Sequence, residues 1–305
     1  KVGISTSVSG LTERVNGNCS PKDFETLMQL VYLSFTAPRM DNDAFESFKQ
    51  RTKASLANQE ADPSTAFSDT LNHEMYGNHP MAMRFKTEMV DQIDYNRIME
   101  MYKDRFKEAG DFTFLFVGNI NLDEVKPLIE TYLGGLPTIN RKENFKDIKM
   151  DIRKGAHKNV FEKEMKTPKA TVINIISGQC KFNPKNYLLM SMLSQTMNMV
   201  YLETIREKEG ASYGVSAFGQ MNCYPKEEAI FQIYFDTDPA KREKMEQIVM
   251  AEMQKVAKEG PKPEHLAKVK EFMLKQYSEQ IKENGDWLNR LLDYYFNKVD
   301  MNTGY

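Results

Sequence analysis

The feature that most constrains the fold of this sequence is a repeat of amphipathic helical segments at one constant spacing. A shift of 221 positions pairs Phe45 with Leu266 and Lys49 with Lys270, without a gap. The same shift also pairs Leu27 with Ile248, Phe48 with Val269, Asp62 with Glu283, Phe67 with Leu288 and Leu71 with Leu292. Unrelated amphipathic helices share a periodicity but not a common offset. We therefore predict two related units.

The periodicity of apolar residues predicts where the helices lie. In the first helical segment Ser20 is the expected N-cap, Pro21 lies in the first turn, and Asp23 takes the capping-box position. Further helical patterns lie at 43–59, 63–76, 91–108, 121–133, 184–208, 240–258, 263–282 and 285–298.

Strand patterns alternate with these helices. They lie at 111–119, 170–177, 212–220 and 229–236. In the last of them Phe231, Ile233 and Phe235 alternate with more polar residues, which predicts a sheet with one face on a core. The order of helices and strands predicts an α+β fold.

The repeat also predicts where the two units meet. A turn, "GGLP", precedes a charged stretch, and we assign residues 1–140 to the first unit, 141–155 to a linker and 156–305 to the second. At an offset of 221, the first unit then lacks an N-terminal part and the second lacks a C-terminal part. We therefore expect two incomplete units and a piece of a longer protein.

Composition excludes several classes of protein. Of the 305 residues 41% are hydrophobic and 28% are charged, and the net charge of −2 lacks the basic excess of nucleic-acid binders. No apolar run reaches the roughly 18 residues of a membrane span. Three dispersed cysteines, Cys19, Cys180 and Cys223, predict neither a zinc ribbon nor a disulfide framework. Because the sequence opens with Lys1, we expect a processed or truncated N-terminus, and an exported or periplasmic location stays one expectation.

The stretch "HEMYGNH" holds two of the four histidines and is the first place to look for a metal site. Zinc-binding histidines on one helix lie about one turn apart, as in H-x-x-E-H or H-E-x-x-H. His73 and His79 are six residues apart, about 600° of helical rotation, and Gly77 and Pro80 interrupt the helix. We therefore predict a helix end followed by a turn, and no metal site in this chain.

The remaining candidate motifs are weaker. His157 and His265 stand alone in polar surroundings, which predicts surface positions. There is no G-x-S-x-G motif, Walker loop or dinucleotide-binding fingerprint. The Met-rich stretch at 188–200 is typical of core packing in a helix.

The stretch "ETIREKEGASYGVSAFG" offers a different kind of site. Gly210 is a natural helix-ending residue, so that Arg206 in the last helical turn and Tyr213 early in the next strand can converge. A guanidinium and a phenol that meet there can bind a peptide carbonyl or stabilise an oxyanion. The competing interpretation is an exposed helical arginine and a tyrosine packed at a sheet rim. The residues alone leave both open.

The motif "REKEGASY" resembles the arginine–tyrosine element of the pitrilysin/insulinase family of zinc metallopeptidases. The segments "KDFETLMQLVYLSFTAPRMDNDAFESFK", "MYGNHPMA", "MYKDRF" and "DFTFLFVGNINLDEVKPLIETYLGGLP" resemble that family too, so the resemblance covers nearly the whole chain. It implies two tandem α/β-sandwich domains of the pitrilysin and mitochondrial-processing-peptidase type. They would be the degenerate third domain, followed by the fourth, of a four-domain clamshell.

The resemblance also implies a division of chemistry. The family binds zinc in its first domain through H-x-x-E-H and a downstream glutamate. This sequence has no H-x-x-E-H and no carboxylate between Arg51 and Gln59, so the zinc is expected in an N-terminal half that the chain does not contain. Arg206 would hold the backbone of an unstructured peptide substrate, and Tyr213 would bind substrate and stabilise the oxyanion.

Two alternatives stay open beside this C-terminal half of a single-chain peptidase. The chain can be a separate non-catalytic subunit that pairs with a zinc-bearing partner chain. It can also be a structural or binding module that has lost proteolysis. An upstream H-x-x-E-H in the same reading frame would favour the single-chain enzyme.

Overall fold

The computed structural model describes residues 1–208 and 214–301, which belong to two compact units. Unit 1 comprises Lys1–Phe114 and Gly118–Glu164, and unit 2 comprises Leu115–Val117 and the residues from Met165 onward. None of the helices in the described ranges combines the length and apolar character that crossing a bilayer requires.

Unit 1 contains a two-stranded hairpin and five α-helices in its described residues. The hairpin strands β1 (Gly3–Val8) and β2 (Glu13–Asn18) are antiparallel, with Gly3 opposite Asn18. The helices are α1 (Phe24–Thr36), α2 (Asn42–Glu60), α3 (Pro63–Tyr76), α4 (Tyr95–Phe106) and α5 (Leu122–Tyr132). Short 3₁₀ helices lie at Pro21–Asp23, Pro80–Ala82, Thr87–Gln92 and Ala109–Asp111. The hairpin was absent from the predicted strands because most of its residues are exposed and neither strand carries an apolar face.

Side-chain caps explain where most helices of unit 1 begin. Carboxylate or amide oxygens accept hydrogen bonds from backbone N–H groups in the first turn at Asp41, Asp62, Asp94 and Asn121. Ser20 occupies the predicted N-cap position, before a 3₁₀ turn that opens with Pro21, but its side chain caps no backbone amide: the hydroxyl donates to Asp23 Oδ2 at 2.8 Å. A 3₁₀ turn follows Ser20, and α1 begins only at Phe24.

The predicted strand at 111–119 is also wrong, since none of these described residues joins a β-ladder. Phe112 and Phe114 instead pack on Phe35. The centroid of the Phe35 ring lies 4.9 Å from that of Phe112 and 6.3 Å from that of Phe114. The fully buried Phe106 meets the same ring at 5.3 Å. The apolar residues of this stretch therefore reflect core packing. A strand additionally needs a hydrogen-bonded neighbour, which periodicity does not supply.

A carboxylate with little exposure ties the end of α4 to the chain that follows α5. Glu108 accepts hydrogen bonds from the backbone N–H groups of Gly110 (3.0 Å), Ile139 (2.8 Å) and Arg141 (2.8 Å), and from the hydroxyl of Thr138. These bonds, led by the one from Thr138, lower the pKa of Glu108 to about 2. Arg141 is the first residue of the predicted linker, so that stretch begins attached to unit 1.

Unit 2 is built on a three-stranded antiparallel sheet. Its strands are β3 (Ala170–Gln179), β4 (Val215–Asn222) and β5 (Glu228–Thr237), in the order β3-β5-β4. Its helices are α6 (Pro184–Tyr201), α7 (Arg242–Glu259), α8 (Pro263–Gln280) and α9 (Asn284–Asn297). A π-helical turn, Leu202–Lys208, continues α6, and a 3₁₀ turn, Pro239–Lys241, precedes α7. The mixture of helices and small sheets confirms the predicted α+β class.

The core of unit 2 lies between the sheet and helices α6 and α7. Phe231, Ile233 and Phe235 alternate along β5 and all are buried, which confirms the predicted one-sided strand. The same cluster contains Met197, Tyr201, Ile205, Ala217, Met245 and Val249. Ile205 belongs to the π-helical turn, so that turn is part of the core.

The helix bounds reproduce the offset found in the sequence. Helix α2 begins at Asn42 and α8 at Pro263, 221 positions later. Helices α3, from Pro63, and α9, from Asn284, have the same separation and are both 14 residues long. The helical parts of the two units therefore share one register.

Candidate functional site

The predicted arginine–tyrosine element begins in an unusual piece of backbone. The chain passes from α6 directly into the π-helical turn Leu202–Lys208, which carries Arg206. The side chain of Arg206, and the whole of Tyr213, lie outside the part of the chain that the structure describes. Their convergence therefore stays a prediction. A π-helical turn is itself informative, because such turns are rare and concentrate at functional sites.

Two side chains of this turn, Ile205 and Glu203, are anchored to other parts of unit 2. Ile205, just before Arg206, is 1% exposed and packs in the unit 2 core. Tyr201, the last residue of α6, is equally buried, and its hydroxyl donates to the carbonyl of Val249 at 3.2 Å. Burial, assisted by the charge of Glu252, raises the pKa of Tyr201, so its phenol stays protonated and donating.

The second anchor is Glu203, which reaches the N-terminus of α8. Its Oε1 lies 2.7 Å from His265 Nε2, and its Oε2 lies 3.0 Å from the ammonium of Lys262. These hydrogen bonds, the one from His265 first, lower the pKa of Glu203. The carboxylate is therefore ionised at neutral pH, and the start of α8 adds the positive end of a helix dipole.

The prediction that His265 is a surface residue is wrong, because its side chain is fully buried. On α8 it shares a face with the buried Val269, one turn later. An ionised Glu203 can only accept, so Nε2 of His265 carries the proton of their hydrogen bond. Its Nδ1 is buried and has no partner among the described residues. The signal available in the sequence was the i, i+4 spacing to Val269.

The geometry also brings Glu203, Glu264 and His265 together, with one ligand atom of each within 4.8 Å of the others. This grouping does not fit a metal ion as arranged. The ammonium of Lys262 lies 3.0 Å from Glu203 and 3.8 Å from Glu264, which supplies the positive charge that a cation would bring. His265 Nε2 is engaged by Glu203. We therefore interpret Glu203, His265 and Lys262 as the network that joins the π-helical turn to α8, while Glu264 only approaches Lys262 on α8 itself.

The other end of the element is fixed through β4. Asn198 of α6 bonds to both backbone groups of Ala217: Nδ2 donates to the carbonyl at 2.9 Å, and Oδ1 accepts from the amide at 2.8 Å. Ser194 Oγ accepts from the amide of Gly219 at 2.8 Å. Because β4 is an edge strand, these side chains satisfy backbone groups that another strand would otherwise pair.

Close approach of α6 explains why position 219 is glycine. A Cβ built on Gly219 would lie 2.2 Å from Met190 Sδ and 3.0 Å from Ser194 Oγ. Without a Cβ at this position, β4 accommodates the side chains of Met190 and Ser194 where they lie. The segments on both sides of the element are therefore held to α6 and α8.

The stretch "HEMYGNH" forms the predicted helix end and turn. Helix α3 ends at Tyr76, and Gly77, at φ +63°, donates its amide to the carbonyl of His73 at 2.7 Å. His79 Nδ1 accepts from the amide of Met81 at 3.2 Å. His73 and His79 do not belong to any group of candidate metal ligands in the described ranges.

Three contacts of this region were not predicted. His79 Nε2 lies 3.0 Å from the carbonyl of Ile148. Glu74 accepts from Asn159 at 3.0 Å and pairs with Arg153 at 3.2 Å, and the bond from Asn159, followed by the charge of Arg153, lowers the pKa of Glu74. His157 is exposed, which confirms its predicted surface position.

Comparison with known proteins is consistent with this architecture. The family model described as "Peptidase M16 inactive domain" matches residues 92–273, which include the whole arginine–tyrosine element. A "Zinc protease PQQL-like" protein of Arabidopsis thaliana is 24% identical over 298 residues, covering 91% of this chain and 30% of that protein. The chain thus spans about a third of the length of that curated relative.

Solved structures share the fold. The periplasmic protease PqqL from Escherichia coli aligns with a TM-score of 0.82 at 18% identity, over 96% of this chain and 32% of that one. A peptidase M16 inactive domain from Pseudomonas fluorescens aligns with a TM-score of 0.72 at 17% identity, over 98% of this chain and 71% of that one. Homology to zinc proteases and the matched family model confirm the resemblance inferred from the sequence motifs, and the chain belongs to the peptidase M16 inactive-domain family.

Proposed function

We propose that this chain is the substrate-binding, non-zinc half of a metallopeptidase that hydrolyses unstructured peptides in a closing chamber. The observation that carries the proposal is the match of the inactive-domain family across residues 92–273. Homologues named as zinc proteases supply the reaction class, and the chain's share of their length is compatible with a half that works with another.

Within this proposal Arg206 and Tyr213 divide the work. The guanidinium of Arg206 presents several N–H donors to backbone carbonyls of the peptide. The phenol of Tyr213 donates to the oxyanion that forms when the scissile carbonyl is attacked. Donors fixed before the reaction are effective because no reorganisation is needed as charge develops. The anchored π-helical turn and β4 support such preorganisation.

The zinc would be held elsewhere in the whole enzyme. No grouping of His, Cys and carboxylate side chains in the described residues fits the metal, since the one cluster is neutralised by Lys262. We propose that the zinc and the general base belong to a separate half. This chain then contributes binding and electrostatic stabilisation.

We further propose that the units are the degenerate third and the fourth peptidase-like domains, at about 1–140 and 156–305, each without part of its sheet. The common offset of α2 and α8, and of α3 and α9, supports descent from one ancestral domain. A structure of the whole protein would test this. Two upstream domains of the same topology are expected, and an unrelated upstream fold would contradict it.

The direct test of the function is Tyr213→Phe in the full-length protein with its zinc-bearing half. Loss of one oxyanion donor is expected to lower kcat by about 10²–10³ with a much smaller change in KM. The assay is cleavage of a quenched fluorogenic peptide. Tyr187→Phe is the matched control, because Tyr187 is an exposed tyrosine on α6. An unchanged kcat in Tyr213→Phe would remove this residue from the reaction.

A second arrangement fits the same family match, since an inactive domain needs a catalytic half but not one in the same polypeptide. In that arrangement the chain would act as a separate non-catalytic subunit with a zinc-bearing partner chain. Activity recovered on mixing two separately purified chains would support it. A full-length protein that binds zinc but cleaves no extended peptide would instead indicate a structural or binding module.

We also propose an exported, periplasm-like location. The structural relative from Escherichia coli is described as periplasmic, which is the supporting observation. Fractionation of cells that make the native full-length protein tests this. Recovery with cytosolic markers would contradict it.

A further inference from the structure

We propose that Glu203 is a positioning residue that holds the π-helical turn, and with it Arg206, through His265 and Lys262 of α8. This inference rests on the proposed role of Arg206 in binding substrate. Glu203 would not touch the peptide itself. It would act through the backbone of the turn.

The conformation of the turn itself calls for support from its surroundings. A π-helix is intrinsically less favourable than an α-helix and persists where its surroundings stabilise it. The described side chains of this turn include two with clear anchors: Ile205 is buried in the core, and Glu203 bonds to α8. Arg206 directly follows Ile205 and lies three residues after Glu203. The two anchors therefore restrict the backbone that carries the guanidinium.

The Glu203 anchor is held at both of its carboxylate oxygens. His265 is fully buried on a helix, and its 2.7 Å contact with Glu203 joins residues 62 positions apart. Lys262 binds the other carboxylate oxygen at 3.0 Å, so both oxygens have a partner on α8. If the Glu203 side chain rotated away, the buried N–H of His265 would lose its acceptor, which costs free energy and holds Glu203 in place.

The two sides of the arginine–tyrosine element are held in different ways. Asn198 and Ser194 already hold β4 against α6, so the strand side needs no further support. The π-helical turn on the other side of the element does not share those bonds from Asn198 and Ser194. Among its described polar side chains, Glu203 connects the turn to α8.

The test compares four single variants in the full-length protein. Glu203→Ala removes the anchor, and His265→Leu removes the imidazole donor. His265→Gln keeps an N–H donor near the position of Nε2. Glu264→Ala is the matched control, because Glu264 is an exposed neighbouring carboxylate that contacts Lys262 only at 3.8 Å.

Two readouts are taken. Hydrogen–deuterium exchange of the amides at 202–208 reports the turn itself, and peptide cleavage reports kcat and KM. Glu203→Ala is expected to accelerate exchange at 202–208 by about tenfold or more and to raise KM by about tenfold. His265→Gln should recover more of the wild-type KM than His265→Leu does, and Glu264→Ala should change neither readout.

A double-mutant cycle with Arg206→Ala separates positioning from general stability. If Glu203 acts through Arg206, then Glu203→Ala raises KM in the wild type but adds nothing in the Arg206→Ala background. Additive effects would overturn the proposal, as would unchanged exchange at 202–208 in Glu203→Ala. An unchanged KM in Arg206→Ala alone would instead refute the proposed function of Arg206, whatever the exchange result.

Discussion

Replacement of Asn198 by alanine is the perturbation for which the structure allows the clearest magnitude. The side-chain amide of Asn198 makes two bonds to the backbone of Ala217, at 2.9 and 2.8 Å, on the edge of the unit 2 sheet. Ala217 is 5% exposed, so water does not readily replace these bonds. Each buried backbone group left without a partner costs about 1–3 kcal/mol. Because Asn198 is only half-buried, we expect a loss near the lower end, about 2–4 kcal/mol in the free energy of unfolding.

The chain offers a probe that reports this loss in unit 2 alone. Trp287 is the single tryptophan and lies on α9, where its indole N–H donates to the carbonyl of Ile281 at 2.8 Å. Urea unfolding followed by its fluorescence therefore monitors unit 2. With a slope of about 2 kcal/mol per molar urea for a unit of this size, the midpoint should fall by about 1–2 M.

Two companion variants make the result interpretable. Gln195→Ala changes an exposed residue of the same helix and should move the midpoint by less than about 0.3 M. Asn198→Asp keeps the oxygen that accepts from Ala217 but replaces the donor, so it should be at least as unstable as the alanine variant. A midpoint shift in Asn198→Ala no larger than in Gln195→Ala, with an unchanged slope, would refute the idea that α6 stabilises the edge of β4.

Two further predictions concern the clamp at Glu108 and the close approach at Gly219. The pKa of Glu108 is lowered to about 2 from its ordinary 4.5, so its contribution to the free energy of unfolding is complete above about pH 4.5 and is lost as the pH falls toward 2. In Glu108→Gln, the protection of the Ile139 and Arg141 amides against hydrogen exchange should be low already at pH 7 and should change little on acidification. A protection that still falls with acid as in the wild type would contradict the assignment. Gly219→Ala places a methyl group 2.2 Å from Met190 Sδ, which should lower the unit 2 unfolding midpoint. Adding Met190→Ala should relieve this clash, so the double variant should lose less stability than the two single variants together. A double variant that loses more than their sum would contradict the steric explanation.

The helices were predictable from the sequence because their determinants are local. The apolar period and the start signals at Pro63 and Pro263 lie within a few residues of each helix start. The offset of 221 positions similarly needs only a comparison of patterns. Membership of a peptidase family without its zinc motif was also visible, since motif residues are read directly.

The strands were less predictable because a strand exists only through its partner. The alternation in β5 was found since one face is buried, whereas the exposed hairpin of β1 and β2 shows no such pattern. The stretch 111–119 has the composition of a strand and forms none among its described residues. Sequence alone therefore recognised apolar segments but not which of them are hydrogen-bonded to a neighbour.

The sequence by itself determined the helical register, the α+β class and the family, and it pointed to Arg206 and Tyr213 as candidate site residues. Only the tertiary structure decided that His265 is buried rather than exposed and that Glu203 is its partner. Periodicity records which face of a helix is apolar, but it carries no information on which distant side chain meets that face. The 62 positions between Glu203 and His265 are bridged because α6 and α8 lie in contact, and such a contact between distant helices forms only when the chain folds.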